Sequence, residues 1–165
     1  MIAIVDYGIG NVGSVLRSIE ECGYSAIITN QISELKESSH IILPGVGSFT
    51  SAMMQLESRK LIEPLTEMVF EKQKPFLGIC LGMQLLGDFG YENDKNTKGL
   101  GWIQGEVKKI PTLSTKLPLP HVGWNNIEMK KNSPIFENIP NSSNFYFVHS
   151  YYFAAKDFEN HVLAT

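Results

Sequence analysis

Short apolar runs alternate with helical patterns through the first half of the chain. The apolar runs predict buried strands at residues 2–5, 25–29, 40–43 and 76–79. Val12, Val15 and Ile19 recur at helical spacing and predict a first helix, with Asn11 as its N-cap. Further helices or helical turns are predicted at residues 33–38, 49–56 and 61–72 and directly after Cys80. Because strand and helix alternate, the predicted fold class is α/β, with a mostly parallel central sheet flanked by helices.

The second half of the chain has a different pattern. Aromatic and β-branched stretches at residues 103–110, 122–129, 145–153 and 161–164 are separated by proline and asparagine residues that are typical of turns. They predict antiparallel strands added to the sheet in the C-terminal half. The polar residues 91–98 contain no apolar anchor and predict a surface loop. Since no repeat or linker divides the chain, we expect a single domain over residues 1–165.

The segment Gly78-Ile79-Cys80-Leu81-Gly82 joins a predicted strand to a predicted helix. Glycines on both sides of a central residue are typical of a nucleophile elbow, a turn so tight that a Cβ would collide with neighbouring backbone. A thiol at the centre of such a turn is exposed and lies close to a helix N-terminus, which favours the nucleophilic thiolate. The alternative is that Cys80 is a small buried hydrophobic residue, the commoner fate of a free cysteine.

A second glycine-containing loop, Pro44-Gly45-Val46-Gly47, follows another predicted strand. In a parallel α/β sheet, the loops at the carboxyl ends of neighbouring strands gather over one crevice. Backbone N–H groups of this loop and of Leu81 are therefore candidate donors to an oxyanion that forms next to Cys80. Without the elbow, the same residues would be interpreted as an ordinary proline-glycine turn.

A third glycine pattern, formed by Gly8, Gly10 and Gly13, follows a strand and precedes a helix, as in dinucleotide-binding proteins. Such a site also needs an acidic residue at the end of the second strand, where this chain has Ile28, Thr29 and Asn30. We therefore expect a structural turn and no cofactor. The four histidines are far apart in the sequence and there is no Cys-x-x-Cys, so no metal site is predicted.

Composition narrows the class of protein. The net charge of -3 and the lack of a basic cluster argue against nucleic-acid binding. Cys22 and Cys80 do not form a disulfide framework, which favours a reducing compartment. No export signal precedes the first strand, and the longest apolar stretch is too short to cross a bilayer. A cytoplasmic protein that does not insert into the membrane is expected.

The run from Gly78 to Gln84 matches the Gly-x-Cys-x-Gly-x-Gln elbow of the class I glutamine amidotransferases. Within that family the chain resembles the glutaminase subunits of imidazole glycerol phosphate synthase. The landmarks that carry this closer resemblance run from end to end of the chain, at residues 6–11, 44–49, 98–101, 120–125 and 146–151.

The resemblance implies that Cys80 is the nucleophile that hydrolyses glutamine to glutamate and ammonia through a thioester. It also implies oxyanion stabilisation by the backbone N–H groups of Val46 and Leu81. The residues implied in substrate binding are Gly47, Gln84, His149, Ser150 and Tyr151. The implied partner is a TIM-barrel synthase/cyclase subunit of histidine biosynthesis, which would form a heterodimer with this chain and receive the ammonia.

The chain departs from the family in one respect. The family completes its triad with a histidine and a glutamate, yet no His-x-Glu follows Cys80 in this sequence. His149 and His161 are weak substitutes, because neither matches the position of the family's base. The end of the sequence inside an apolar, strand-like run leads us to expect that a C-terminal segment is lacking.

Three hypotheses therefore stay open at the level of sequence. The chain is a glutaminase subunit of histidine biosynthesis, or a paralogue that supplies ammonia for amination of a surface-polysaccharide sugar, or a catalytically silent scaffold that keeps the fold and binds a synthase. The residues do not separate the first two hypotheses, since the chemistry of ammonia delivery is the same. The third predicts that no glutaminase activity accompanies the fold.

Overall fold

The central element is a parallel sheet of four strands in the order β2-β1-β3-β4. The computed structural model describes residues 1–92, 95–112 and 118–165. The strands of the parallel sheet are β1 (Ile2–Val5), β2 (Ala26–Thr29), β3 (His40–Gly45) and β4 (Phe76–Cys80). β3 and β4 are aligned so that Gly45 pairs with Cys80. The two candidate loops therefore leave the sheet at the same edge, as predicted from the alternating pattern.

Helices connect the parallel strands, and the predicted α/β class is confirmed. The connecting helices are α1 (Val12–Glu21), α2 (Ile32–Glu37), α3 (Phe49–Ser58) and α4 (Ile62–Thr66). Two further short helices, α5 (Leu81–Gln84) and α6 (Phe158–His161), lie later in the chain. A π-helical turn, Glu67–Glu71, continues α4, and a 3₁₀ turn spans Pro134–Phe136. Asn11 caps α1 as predicted, because its side-chain oxygen accepts a hydrogen bond from the Ser14 N–H at 3.3 Å.

The core lies between the parallel sheet and the helices that cover it. Leu43 on β3, Leu56 on α3 and Leu65 on α4 are fully buried. Trp102 closes the cluster at its rim, where its ring meets Phe76 edge-on with 5.0 Å between ring centroids. A tightly packed support of this kind holds the carboxyl ends of β3 and β4 in place beneath the site.

The second half of the chain forms two further sheets. Its strands are β5 (Phe89–Glu92), β6 (Lys95–Lys98), β7 (Gly105–Lys109), β8 (His121–Asn126), β9 (Asn144–His149) and β10 (Tyr151–Ala155). One sheet has the order β10-β7-β5-β6, and the other is the antiparallel pair β8-β9. The predicted antiparallel strands are thus present, but they form separate sheets. β5 and β7 pair in parallel within the mixed sheet.

Three local predictions differ from the structure. The stretch predicted at 145–153 breaks at Ser150, because β9 pairs with β8 whereas β10 pairs with β7. The predicted loop at 91–98 contains the end of β5 and all of β6, with residues 93–94 outside the described part of the chain. These polar strands are stabilised by backbone hydrogen bonds, so the sequence shows no apolar pattern from which they could be predicted. The predicted strand at 161–164 is reduced to the end of α6 and a single bridge between Met129 and Ala164.

None of the helices in the described ranges combines the length and the apolar character needed to cross a membrane.

Candidate active site

Cys80 ends β4 and directly precedes α5, where it adopts φ 55° and ψ -115°. A positive φ is costly for a residue with a Cβ and is found where the surrounding structure imposes it, often at functional sites. The turn leaves Cys80 exposed, so the alternative of a buried hydrophobic cysteine is wrong. The predicted helix after it is a single turn, so a thiolate at Cys80 would be stabilised by the local backbone N–H groups and not by a long helix dipole.

The two flanking glycines are required by close backbone packing. A Cβ on Gly82 would collide with the Leu43 carbonyl of β3. A Cβ on Gly78 would lie 2.6 Å from the backbone nitrogen and Cα of Met83. Because these neighbours are backbone atoms, no side-chain rotation could relieve the clash. The elbow predicted from the sequence is therefore present, and the stated reason for its glycines holds.

A cavity of about 380 Å³ opens beside the elbow. It is lined by all eight residues that the sequence singled out, namely Val46, Gly47, Cys80, Leu81, Gln84, His149, Ser150 and Tyr151. They come from three places in the fold: the loop after β3, the β4–α5 elbow, and the junction between β9 and β10. The volume lies within the range of cavities that hold small ligands.

The β9–β10 junction is tied to the elbow by side-chain hydrogen bonds. The Tyr151 carbonyl accepts a hydrogen bond from Gln84 Nε2 at 3.3 Å and lies 2.9 Å from His149 Nδ1. Two donors saturate a carbonyl oxygen, so this atom is not free to bind substrate. Gln84 itself lines the cavity.

His149 lies in the cavity but is not available as a base. Its Nδ1 hydrogen bonds to the Tyr151 carbonyl, and its Nε2 lies 2.9 Å from Nδ1 of His121. Both ring nitrogens are thus engaged in hydrogen bonds within the protein, and neither is left to take the proton of Cys80. This geometry gives a physical reason for the low weight that the sequence assigned to His149 as a substitute base.

Glu92 lines the cavity and was missed by the sequence analysis. Its Oε2 accepts a hydrogen bond from the Phe49 N–H at 2.7 Å, which anchors the end of β5 to the start of α3. A carboxylate at a helix N-terminus is stabilised by the unpaired N–H groups there. The polar surroundings of Glu92 offered no pattern from which this position could have been predicted.

A buried tyrosine lies beneath the elbow. Tyr7 is fully buried, and a Cβ on Gly45 would lie 2.8 Å from its hydroxyl oxygen and 2.9 Å from Cβ of Leu81. Burial, and to a lesser extent the charge of Cys80, raise the pKa of Tyr7 well above its ordinary value. Within the described part of the chain, its hydroxyl has no hydrogen-bond partner. Tyr7 therefore stays neutral at physiological pH.

Comparison with known proteins agrees with this geometry. The family model "Glutamine amidotransferase class-I" matches residues 3–165. The chain is 44% identical over 160 residues to imidazole glycerol phosphate synthase subunit HisH of Pelagibacter ubique, covering 94% of this chain and 76% of that protein. It is 44% identical over 165 residues to subunit HisH 2 of Methanococcus maripaludis, covering 100% of this chain and 80% of that protein.

Solved structures share the fold at low sequence identity. A crystal structure of a glutamine amidotransferase aligns with a TM-score of 0.72 at 16% identity, covering 99% of this chain and 79% of that one. The structure of PurLQS from Thermotoga maritima aligns with a TM-score of 0.69 at 18% identity, covering 99% of this chain and 72% of that one. The fold, the family match and the relatives agree: the chain belongs to the class-I glutamine amidotransferases and, within them, to the HisH subunits of imidazole glycerol phosphate synthase.

Proposed function

We propose that Cys80 hydrolyses the side-chain amide of glutamine. The thiolate sulfur attacks the amide carbon, the C–N bond breaks, and the nitrogen leaves as ammonia after gaining a proton. Water then attacks the glutamyl thioester, which releases glutamate and returns the thiol. The observation that supports this function best is that Cys80 stands exposed at a strained elbow, in one cavity with all the other residues implied by the family.

The backbone N–H groups of Val46 and Leu81 are proposed to stabilise the oxyanion. Val46 follows Gly45, which pairs with Cys80, and Leu81 follows Cys80 directly. Both residues line the same cavity as Cys80. Loss of one such donor typically costs about 3 to 4 kcal/mol of transition-state stabilisation. Gly47, Gln84, His149, Ser150 and Tyr151 are proposed to form the wall that seats the glutamine.

None of the residues proposed for the site can act as the base that removes the proton from the Cys80 thiol. His149 is held by two hydrogen bonds, and no His-x-Glu follows Cys80 in the 165 residues. An ordinary cysteine is mostly protonated at neutral pH and reacts slowly. Stoichiometric labelling tests the pocket without requiring turnover, because one slow attack per molecule is enough to be counted.

The test uses a glutamine analogue that carries an electrophilic chloroketone in place of the amide. We expect labelling of Cys80 that saturates with analogue concentration and is slowed by added glutamine. Iodoacetamide, which needs only an exposed thiol, should label both Cys80 and Cys22, since both are exposed. Analogue labelling that is confined to Cys22, or that glutamine does not slow, would overturn the assignment. Cys22→Ala is the matched control and should keep the saturable labelling.

The ammonia is proposed to pass to a TIM-barrel synthase/cyclase partner in histidine biosynthesis. The relatives are subunits of imidazole glycerol phosphate synthase, which favours this pathway over sugar amination or a silent scaffold. The partner assignment is tested by copurification with that synthase and by glutamine-dependent product formation. In the complex, Cys80→Ala should abolish synthesis from glutamine and leave synthesis from added ammonia intact. Equal loss of both activities would indicate a structural role for Cys80.

One surface supports the presence of a partner. On one face of the β8–β9 pair, Val122 lies opposite Val148 and Trp124 lies opposite Tyr146. These four side chains are strongly exposed, and Trp124 is 74% exposed. A contiguous apolar patch of this kind is typical of a protein interface. We propose that this face, called here the aromatic face, contacts the synthase.

A further inference from the structure

His149, which lines the cavity, and His121, which lies behind it, form a short hydrogen-bonded network. His121 on β8 and His149 at the end of β9 are directly opposite in the strand register, and their facing ring nitrogens lie 2.9 Å apart. Because the two nitrogens face each other, they do not converge on a metal ion. One proton lies between them, since a hydrogen bond of this kind needs one donor and one acceptor.

The Tyr151 carbonyl determines which nitrogen donates in each of these hydrogen bonds. The Tyr151 carbonyl can only accept, so Nδ1 of His149 carries a proton and donates it. When His149 is neutral, its Nε2 is therefore the acceptor, and Nδ1 of His121 donates. His121 thus selects the tautomer in which His149 can hold the Tyr151 carbonyl. The ring of His121 is itself oriented by stacking on Phe147, with 5.0 Å between ring centroids and 21° between planes.

The Tyr151 carbonyl also connects the hydrogen-bonded histidines to the elbow. Gln84 donates to the Tyr151 carbonyl from the turn that follows Cys80, across 67 positions of sequence. Three segments therefore meet at one oxygen atom: the β8–β9 pair, the β9–β10 junction and α5. Of the four hydrogen-bonded residues, His149, Gln84 and Tyr151 line the cavity, whereas His121 does not.

We propose that His121 is a positioning residue for the glutamine pocket, acting through His149 and the Tyr151 carbonyl on Gln84. It touches no substrate in this role. The inference rests on the proposed glutaminase function and adds to it the residue that holds one wall of the pocket. It also links that wall to the aromatic face, because His121 and Val122 are consecutive residues on β8 and alternate side chains of a strand point to opposite faces.

His121→Leu and His121→Asn test this role as a pair. Leucine keeps the bulk of the side chain but removes the hydrogen bond to His149. Asparagine places an amide near the position of Nδ1 and can still donate or accept there. The readout is the labelling of Cys80 by the chloroketone analogue, which yields a half-saturating concentration and a maximal rate separately. His40→Leu is the control for loss of a histidine away from the cavity, at the other end of the parallel sheet.

We expect the half-saturating concentration to rise about fivefold in His121→Leu, the effect of one lost neutral hydrogen bond, with a nearly unchanged maximal rate. His121→Asn should recover most of this loss, and His40→Leu should match the wild type. Iodoacetamide should label Cys80 equally fast in all variants, which shows that the elbow is intact.

Each contrary outcome has a distinct meaning. Wild-type protein that shows no saturable labelling refutes the proposed function. Saturable wild-type labelling with an unchanged half-saturating concentration in His121→Leu refutes the positioning role while leaving the function standing. An equal defect in the leucine and asparagine variants also refutes it, because the packing of the ring and not its hydrogen bond would then be responsible.

Discussion

Replacing Gly82 with alanine adds one methyl group at the tightest contact of the elbow. The new Cβ would overlap the carbonyl oxygen of Leu43 and also lie 3.3 Å from the carbonyl carbon of Pro44. Both atoms belong to the backbone of β3, which is paired with β1 on one side and β4 on the other. The strand cannot move away without breaking those pairs, so the strain must be carried by the elbow or by the sheet.

The loss of stability should be large, because the backbone of β3 cannot move away from the added methyl group. Overpacking a core typically costs about 1 to 3 kcal/mol when side chains can yield, and more when they cannot. We therefore expect Gly82→Ala to lower the free energy of unfolding by at least about 3 kcal/mol. That is a large part of the roughly 5 to 15 kcal/mol that stabilises an ordinary domain. Any folded fraction should also lose saturable labelling of Cys80, since this residue lies in the displaced turn.

Gly13→Ala is the matched control, because it makes the same chemical change within α1. The nearest atom that its Cβ would meet is Arg17 Nη1 at 3.8 Å, an ordinary contact. Alanine is the better helix former, so this variant should gain up to about 1 kcal/mol. Urea unfolding followed by circular dichroism measures both free energies. If Gly82→Ala unfolds within about 0.5 kcal/mol of the wild type, the steric account of the elbow is refuted.

Three further predictions concern a buried hydroxyl, a surface ion pair and the aromatic face. Tyr7→Phe removes a buried hydroxyl that has no partner among the described residues and should leave stability unchanged or raise it by about 1 kcal/mol. Because the folded pKa of Tyr7 is raised, its contribution is complete below the ordinary tyrosine pKa of about 10 and is lost as the pH rises further. Tyr7→Phe should therefore flatten the alkaline fall of the unfolding free energy, whereas Tyr24→Phe, at a 66% exposed position, should not. Lys108→Met removes the ion pair with Glu106, which has 2.6 Å between charged atoms. It should leave the urea midpoint nearly unchanged, because the two side chains are 49% and 34% exposed and solvent screens the pair. A clear loss of stability would contradict this. Trp124→Ala should weaken binding of the synthase by about thirtyfold, because an exposed tryptophan is typical of an interface hot spot. Titration calorimetry measures the affinity, and iodoacetamide labelling of Cys80 should not slow. Unchanged affinity would exclude the aromatic face as the interface.

The parallel half of the fold could be predicted because its signals are local. Asn11 caps α1 within three residues, and Gly78 packs against the backbone of Met83, five positions further along the chain. The mixed half was harder to predict, because strand partners there are chosen over long distances. Nothing near Ser150 in the sequence marks the point where the chain leaves β8 for β7. The polar strand β6 likewise forms through backbone pairing and a hydroxyl contact of 2.7 Å between Thr50 and Thr97.

The amino-acid sequence by itself indicated the elbow and the cysteine at its centre. A cysteine between two glycines after an apolar run indicates a tight strand-to-helix turn, and that signal lies within a five-residue segment. Only the tertiary structure decided what surrounds that thiol. It brought Glu92 into the cavity and engaged His149 with His121, 28 positions away, so that His149 holds a pocket wall and is not free to act as a base. Hydrogen bonds of this kind need groups that chain folding alone brings within 3 Å of each other, and no local pattern encodes them.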